Sequence, residues 1–151
     1  MSNIFNSCYE ISLRIVLLIK VINIPINSEN IFAYDFIGTY AKEFDLMDIS
    51  LNGDSEFTLS KISLRRKKII ESINYLVIHK YISPICDIDG IKYILLEKGN
   101  SLYNKLKDTA YAQKYVLTIK LAKNLSENNN VLNLILNKIV GAKKWVFILN
   151  R

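Results

Sequence analysis

The feature that most constrains the fold is a predicted β-hairpin in the middle of the chain. The dipeptide Asp89-Gly90 lies between two short runs of β-prone residues, 83–88 and 91–96. Asp-Gly favours the tight turn that joins two antiparallel strands. Helical patterns lie on both sides, since residues 58–80 precede the hairpin and a helix restarts at Glu97. Helix, hairpin and helix in this order are typical of a winged helix.

Two further helices are predicted ahead of this unit, because apolar residues recur at steps of three and four along both segments. The first covers residues 8–23, with Asn6 or Ser7 as its N-cap. The second covers residues 28–44 and begins with Ser28 as its cap. Its apolar stripe is rich in aromatic residues, so we expect this second helix to be central to the core.

Beyond the hairpin, helical patterns continue to about Asn124 as one helix or two, and a short helix is predicted over residues 131–140. The chain contains no internal repeat and no linker. We therefore predict a single domain over residues 1–151, mainly α with a small β-hairpin wing: a winged helix-turn-helix with extra N- and C-terminal helices. Residues 141–151 are a candidate partner-docking tail.

Charge is strongly segregated along the sequence. Residues 27–57 hold seven acids against one lysine, a balance of −6, whereas residues 58–80 hold six basic residues against one acid, a balance of +5. The acidic part includes a predicted loop over residues 45–57, which is long for a compact domain and therefore favours contact with a partner. The candidate interface residues in this loop are Asp45, Asp48 and Asp54.

A basic cluster lies where a recognition helix would begin, after a short preceding helix over residues 58–63. With a lysine beside the hairpin turn, its members are Arg65, Arg66, Lys67, Lys68 and Lys92. In a DNA-binding winged helix, such arginines pair with guanine edges, lysines neutralise phosphates, and the wing contacts the backbone. On a helical wheel, however, Arg66 falls near the apolar stripe and would pack along the core or pair with an acid. The cluster is therefore a DNA-contacting face or an ion-pair face, and we favour ion pairing.

The C-terminal tail offers another candidate interface. Residues 143–150 alternate weakly, as a strand would, and place three large apolar side chains on one side. These are Trp145, Phe147 and Leu149. A terminal strand of this kind either docks on a partner or closes the core of its own domain, and the sequence alone does not separate the two.

The residue content favours a protein without catalytic chemistry. Five glycines, two prolines and one histidine leave little material for phosphate-binding loops or His-centred triads. A nuclease of the restriction type needs Glu-x-Lys on a strand, whereas Glu97 and Lys98 are adjacent and would point to opposite faces. Cys8, Cys86 and His79 cannot supply the four ligands of a structural zinc site. We expect no enzyme activity, no catalytic residues, no cofactor and no metal.

Nothing in the sequence indicates a membrane segment. The apolar run over residues 11–22 is too short to span a bilayer and is interrupted by Arg14 and Lys20. Residues 1–10 lack the basic region of a signal peptide, and the two cysteines do not form a disulfide framework. We therefore expect a cytoplasmic protein with no membrane partner.

Several segments between residues 3 and 125 resemble, in order and spacing, the middle component of ABC-type three-component systems. The matching segments are Asn3-Ile4-Phe5-Asn6-Ser7, Glu10-Ile11-x-Leu13-Arg14-x-x-x-Leu17-Leu18, Asp35-Phe36, residues 45–54 with Leu51-Asn52-Gly53-Asp54, Arg65-Arg66-x-x-Ile69-x-x-x-Ile73-x-x-Leu76, and Glu97-x-Gly99-x-x-Leu102. None of these segments is a catalytic motif, so the resemblance is carried by their succession. Members of that family are small winged-helix proteins encoded between an ATPase and an effector.

The resemblance implies a non-enzymatic subunit of an anti-phage defence complex similar to Lamassu. It implies two partners, an SMC-like ABC ATPase with coiled-coil arms and an effector that is often a nuclease, which this subunit would join or restrain. The winged helix would then be a protein-docking fold, with DNA contact inside the complex left open. The alternative is a free-standing winged-helix transcriptional regulator, in which residues 65–68 read an operator and residues 103–121 form a dimer helix.

Overall fold

The computed structural model describes residues 7–48, 51, 59–126 and 130–138. Helices predominate in this part of the chain, together with one two-stranded antiparallel sheet. In chain order the elements are α1 (Cys8–Ile22), α2 (Ser28–Thr39), α3 (Leu59–Ile78), β1 (Ile82–Asp87), β2 (Gly90–Leu95), α4 (Glu97–Leu106), α5 (Ala110–Leu125) and α6 (131–138). The predicted mainly helical architecture with a hairpin is confirmed, and the stretch after the hairpin forms two helices.

The first helix is at the centre of the molecule. Its N-cap is Ser7, whose hydroxyl accepts a hydrogen bond from the backbone N–H of Glu10. The predicted stripe that includes Ile15 and Leu18 is buried, and so are Val16 and Leu17, which lie beside it on the helix. An apolar residue on nearly every side requires neighbours on every side, and α1 packs against α2, α3, α4, α5 and β2.

The second helix is also buried, as predicted, but both of its ends differ from the prediction. The cap is Asn27 rather than Ser28, because the Asn27 side chain accepts the hydrogen bond from the backbone N–H of Asn30. The helix ends at Thr39, and residues 40–45 form turns that are held by hydrogen bonds between residues three apart. These turns continue to direct Phe44 into the core, which explains why the apolar pattern outlasts the helix.

The third helix is unbroken, so the prediction of a separate short helix over residues 58–63 is wrong. No glycine or proline occurs between Leu59 and Ile78, and nothing in this stretch interrupts the backbone hydrogen bonds. Residues 59–63 are thus the first residues of α3, and within the described chain the helix before it is α2.

The hairpin forms where it was predicted, with its turn shifted by one residue. Asp87 pairs with Gly90, so the two loop residues are Ile88 and Asp89. The Asp87 carboxylate accepts a hydrogen bond from the Asp89 backbone N–H, and Gly90 adopts a positive φ of 112°, which glycine tolerates without strain. On the other edge of β2, Ile26 forms a single β-bridge with Tyr93.

The remaining helices pack around α1 and α2. Both of these helices contact α3 and both contact α5. The approach of α5 to α2 depends on Gly38, since a Cβ at that position would lie 2.9 Å from the Ile119 side chain. Val131 and Ile135 of α6 are buried in the core. None of the described helices is both long enough and apolar enough to cross a bilayer.

Candidate functional site

A group of buried polar side chains joins four helices at the centre of the protein. We call it the Asp35 centre, and its members are Arg14 of α1, Asp35 and Thr39 of α2, Arg65 of α3 and Tyr115 of α5. All five are buried, and Arg14, Asp35 and Tyr115 have no measurable exposure to solvent. Sequence analysis had singled out only Arg65 among them as a site residue.

Asp35 is the acceptor that the other members share. The Arg14 guanidinium donates from Nε to Asp35 Oδ1 over 2.8 Å and from a terminal nitrogen to Oδ2 over 3.0 Å. Arg65 donates to Oδ2 over 2.9 Å, and the Tyr115 hydroxyl donates to Oδ1 over 2.8 Å. One carboxylate therefore accepts four hydrogen bonds from three neighbouring helices, and two of its donors are cations.

The Asp35 centre is fully satisfied. Arg65 also donates to the Thr39 hydroxyl over 2.8 Å, and that hydroxyl donates to the Asp35 carbonyl oxygen. Among the described residues, no buried side-chain nitrogen or oxygen lacks a hydrogen-bond partner. Because a buried ion without its partner is costly, a network of this kind constrains how the four helices can pack.

The electrostatics follow from burial and from the excess of cations. Burial by itself would raise the pKa of Asp35, but the Arg14 and Arg65 guanidiniums outweigh it and lower that pKa below its ordinary value. Burial and the Asp35 carboxylate raise the pKa of Tyr115 well above its ordinary value. At neutral pH the centre therefore contains one carboxylate, two guanidiniums and the neutral hydroxyls of Thr39 and Tyr115. It lies inside the core, out of reach of a substrate.

Arg66 pairs with an acid, one of the two arrangements expected for it, and is half-exposed rather than buried. It is 47% exposed, its guanidinium lies 2.8 Å from Glu29 and it covers the Phe32 ring at 5.0 Å. A helical wheel anchored on apolar residues leaves out Ser72, which is also buried. Its hydroxyl is satisfied there, because it donates a hydrogen bond to the carbonyl oxygen of Lys68. Including Ser72 turns the core-facing stripe toward Arg65, so Arg65 is the buried arginine.

The three lysines of the cluster differ in exposure and in their partners. Lys67 is exposed, and no carboxylate of the described residues lies within ion-pair distance of it. Lys68 is partly buried. Lys92 lies 3.0 Å from Asp87 and 3.9 Å from Asp89, and its hydrogen bond lowers the pKa of Asp87. The lysine beside the hairpin turn is thus held between two carboxylates of the same hairpin.

The outward side of α3 and the hairpin carry large apolar side chains exposed to solvent. We call this set the α3–wing surface, and its members are Leu64, Ile70, Tyr75, Ile78, Ile88 and Ile91. Ile78 is 74% exposed and Ile88, at the hairpin turn, is completely exposed. Exposed apolar groups concentrated on neighbouring elements are typical of protein interaction sites.

The candidate interface residues of the acidic loop and the tail are only partly described. Asp45 and Asp48 are exposed, and Asp45 adopts a left-handed backbone conformation with φ of 58°. The other candidates lie outside the described residues; they are Asp54, Trp145, Phe147 and Leu149.

The described residues contain no group of three or more histidine, cysteine or acidic side chains placed to hold a metal ion. Burial and a hydrogen bond to Glu71 raise the pKa of the Cys8 thiol, which makes it less reactive. His79 packs its ring against Tyr75 near the end of α3.

The sequence does contain a signal for the Asp35 centre, namely a charged residue inside each of two apolar helices. Arg14 lies one residue before Ile15 and four before Leu18, in the middle of an apolar stripe. Asp35 lies beside Phe36 in a segment rich in aromatics. A charged residue in each of two buried stripes indicates that the two residues pair.

The chain belongs to the family of middle component 2 proteins of ABC three-component systems, whose family model matches residues 4–145. The match covers nearly the whole chain and includes Arg14, Asp35 and Arg65. No curated protein and no solved structure gives a significant match.

Proposed function

We propose that this middle component is a non-catalytic subunit that joins or restrains an SMC-like ABC ATPase and an effector, often a nuclease, in an anti-phage defence complex similar to Lamassu. Membership of a family of three-component systems supports a role beside other components. The observation that carries the docking role is the character of α3. Its two arginines are engaged by carboxylates of the same chain, and its outward side exposes the large apolar residues Leu64, Ile70, Tyr75 and Ile78 among polar ones.

The proposal includes a winged-helix fold used for protein docking. The order α1, α2, α3, β1, β2 supports this assignment, and so does the single β-bridge between Ile26 and Tyr93, since a short third strand lies beside the wing in such folds. In this assignment α3 is the recognition helix and the β1–β2 hairpin is the wing. A fold of this type does not by itself imply DNA binding.

Several contacts argue against DNA as the main partner of the α3–wing surface. Arg65 is buried and Arg66 pairs with Glu29, so neither guanidinium projects toward a groove unless an ion pair breaks. At the hairpin turn, Ile88 lies between Asp87 and Asp89, and these carboxylates would repel the phosphate backbone. Exposed isoleucine and tyrosine side chains instead favour a protein partner, because burial of apolar surface is the main favourable term in most protein association.

The acidic loop and the tail belong to the proposal as additional contacts. Asp45, Asp48 and Asp54 would face a basic part of a partner. Trp145, Phe147 and Leu149 would anchor the C-terminal end of the subunit. DNA contact within the assembled complex is compatible with this arrangement through surfaces other than α3.

Co-purification tests the proposal directly. The tagged full chain is co-expressed with the other two components of its system, in wild-type form and with Ile70→Asp and Ile78→Asp combined. Neither side chain is buried, so the double variant should fold, and we expect it to lose at least one component that the wild type retains. Ile24→Asp with Leu125→Asp is the matched control, since both residues are similarly exposed and lie outside the α3–wing surface.

The outcome also separates the alternatives. A wild-type chain that binds a specific DNA duplex and neither component would support the free-standing regulator instead. ATP or plasmid hydrolysis that co-purifies with the isolated chain and responds to a point mutation would contradict the non-catalytic assignment.

A further inference from the structure

A groove lies between α4 and α5, away from the α3–wing surface. Its volume is about 260 Å³, and it is lined by Tyr103, Lys107, Gln113, Val116, Leu117 and Lys120. We call it the α4–α5 groove. The helices α3 and α5 both pack on α1 and α2, but within the described residues they have little contact with each other. A partner in the groove and a partner on α3 would therefore meet different sides of the subunit.

The floor of the groove is apolar. Val116 and Tyr103 are partly buried and pack against the core, which fixes their positions. Leu117 is 48% exposed. The Tyr103 ring is already covered by the Lys20 ammonium group at 5.6 Å from its centroid, so stacking of a nucleobase would have to displace that cation. A short aliphatic or aromatic side chain would be buried well by this floor.

The walls of the groove are basic. Residues 97–125 contain six lysines and only two acids, a balance of +4. All six lysines are exposed and have no carboxylate within ion-pair distance among the described residues, and two of them, Lys107 and Lys120, line the groove. On α3 the two arginines are already paired with carboxylates, whereas Lys67 is exposed and has none within ion-pair distance among the described residues. Among the described residues, α4 and α5 therefore carry more exposed lysines without a carboxylate partner than α3 does.

We propose that the α4–α5 groove binds an acidic amphipathic segment of one of the other two components of the system. Apolar side chains of that segment would contact Leu117 and Val116, and its carboxylates would pair with Lys107 and Lys120. This inference rests on the proposed function, in which the subunit joins two components. It adds a second docking surface and states the chemistry of the segment that binds there. It also gives the subunit two chemically different docking surfaces, one apolar and one basic.

The groove fits a protein segment better than nucleic acid. Residues 97–125 contain no arginine, the residue that binds phosphates through two parallel hydrogen bonds. The exposed Leu117 that lines the groove can be buried by a protein partner, whereas it offers no hydrogen bond or charge to a phosphate backbone. The combination of lysine walls and an apolar floor matches a helix or strand with acids on one side and apolar residues on the other.

The test uses the tagged full chain co-expressed with the other two components. One variant combines Lys107→Glu with Lys120→Glu, and a second is Leu117→Asp. The matched control combines Lys80→Glu with Lys105→Glu, which changes the net charge equally. Both control lysines are exposed, do not line the groove and have no ion pair among the described residues. Circular dichroism melting verifies that all variants fold.

We expect each groove variant to lose one component while the control retains both. For that component, purified and titrated, the Lys107→Glu and Lys120→Glu double variant should bind about 100-fold more weakly than the control, because two attractions become repulsions. Leu117→Asp should weaken the binding of the same component, whereas Leu117→Met, which keeps an apolar side chain, should bind it like the wild type.

Two results would overturn the inference and leave the proposed function intact. The first is a groove variant that retains both components with wild-type affinity. The second is a groove variant that retains both components but loses affinity for a labelled DNA duplex, which would make the groove a nucleic-acid surface. A wild-type chain that retains neither component would contradict the proposed function itself, and with it this inference.

Discussion

The molecule has two basic regions, one on α3 and one on α4 and α5, and they use their charges differently. On α3, Arg65 pairs with Asp35 inside the core and Arg66 pairs with Glu29 at the surface. On α4 and α5, lysines such as Lys107 and Lys120 have no carboxylate partner among the described residues. The denser cluster of basic residues is thus the one on α3, whose arginines form ion pairs within the chain. A run of basic residues therefore indicates an anionic partner only if acids of the same chain do not already pair with it.

The largest effect should come from the acid that both buried arginines share. Asp35→Asn leaves two guanidiniums in the core without a counterion, and breaking a buried pair in this way costs about 3 to 5 kcal/mol. That is a large part of the total stability of a domain, so cooperative unfolding in urea should shift strongly or disappear. Asp48→Asn, at an exposed position, is the control and should unfold like the wild type.

Asp35 should also make stability depend on acid pH. Its pKa is lower in the folded chain than in the unfolded chain, because Arg14 and Arg65 outweigh the effect of burial. The stabilisation from its charge is therefore complete at neutral pH and is lost as the pH falls below about 4. Urea unfolding between neutral and acid pH measures this loss. Stability that stays constant or rises over this range would contradict the assignment of a charged Asp35.

Adjacent arginines provide the sharpest contrast within α3. Arg65→Ala should cost about 3 to 5 kcal/mol, because it removes a buried partner of Asp35. Arg66→Ala should cost no more than about 1 kcal/mol, since the Arg66–Glu29 pair is half-exposed and screened by solvent. Equal losses in the two variants would show that the burial difference between these positions has been assigned wrongly.

Tyr115→Phe should have an intermediate effect with a distinctive pH dependence. It removes a hydrogen bond to a charged acceptor, which costs about 1.5 to 3 kcal/mol at neutral pH. Because burial and Asp35 raise the pKa of Tyr115, the folded wild type keeps this hydroxyl neutral while the unfolded chain ionises above about pH 10. The stability gap between variant and wild type should therefore narrow as the pH rises above that value. A constant gap would contradict the raised pKa.

The smallest effect on stability should come from the lysines of the α4–α5 groove. Lys107→Gln with Lys120→Gln should change the free energy of unfolding by less than about 0.5 kcal/mol, because neither side chain is buried or paired among the described residues. Stabilisation by this charge removal would indicate repulsion between the lysines. Marked destabilisation would mean that they support the fold, as the arginines of α3 do, and would remove the contrast between the two regions.

Local signals were sufficient for most of the fold. The Asp-Gly turn and the β-prone runs around it located the hairpin, and apolar spacing located the helices from α1 to α5. The end of α2 was missed because Phe44 stays buried after the helix has ended, so burial and helical structure no longer coincide there. The family was identified from the succession of short segments, a signal that does not depend on any single motif.

The Asp35 centre was harder to predict, for a physical reason. Its ion pairs link residues 21 to 30 positions apart, and their partners become clear only when α1, α2 and α3 are packed together. The wheel of α3 failed at Arg65 because its core-facing stripe includes two polar residues, Arg65 and Ser72, which a wheel anchored on apolar residues leaves out. The α4–α5 groove is likewise a product of packing between two separate helices.

The central claim is that the arginines of α3 form ion pairs within the chain and do not bind DNA. The most direct test is to measure the affinity of the full chain for a DNA duplex as a function of salt. The comparison is between the wild type and a variant that combines Arg66→Ala with Lys67→Ala, both exposed and outside the Asp35 centre. Fluorescence anisotropy should give the same weak affinity and the same salt slope for the two proteins. A folded variant with clearly lower affinity, and with a slope smaller by about 1 to 2, would show that α3 contacts phosphates and would contradict the account.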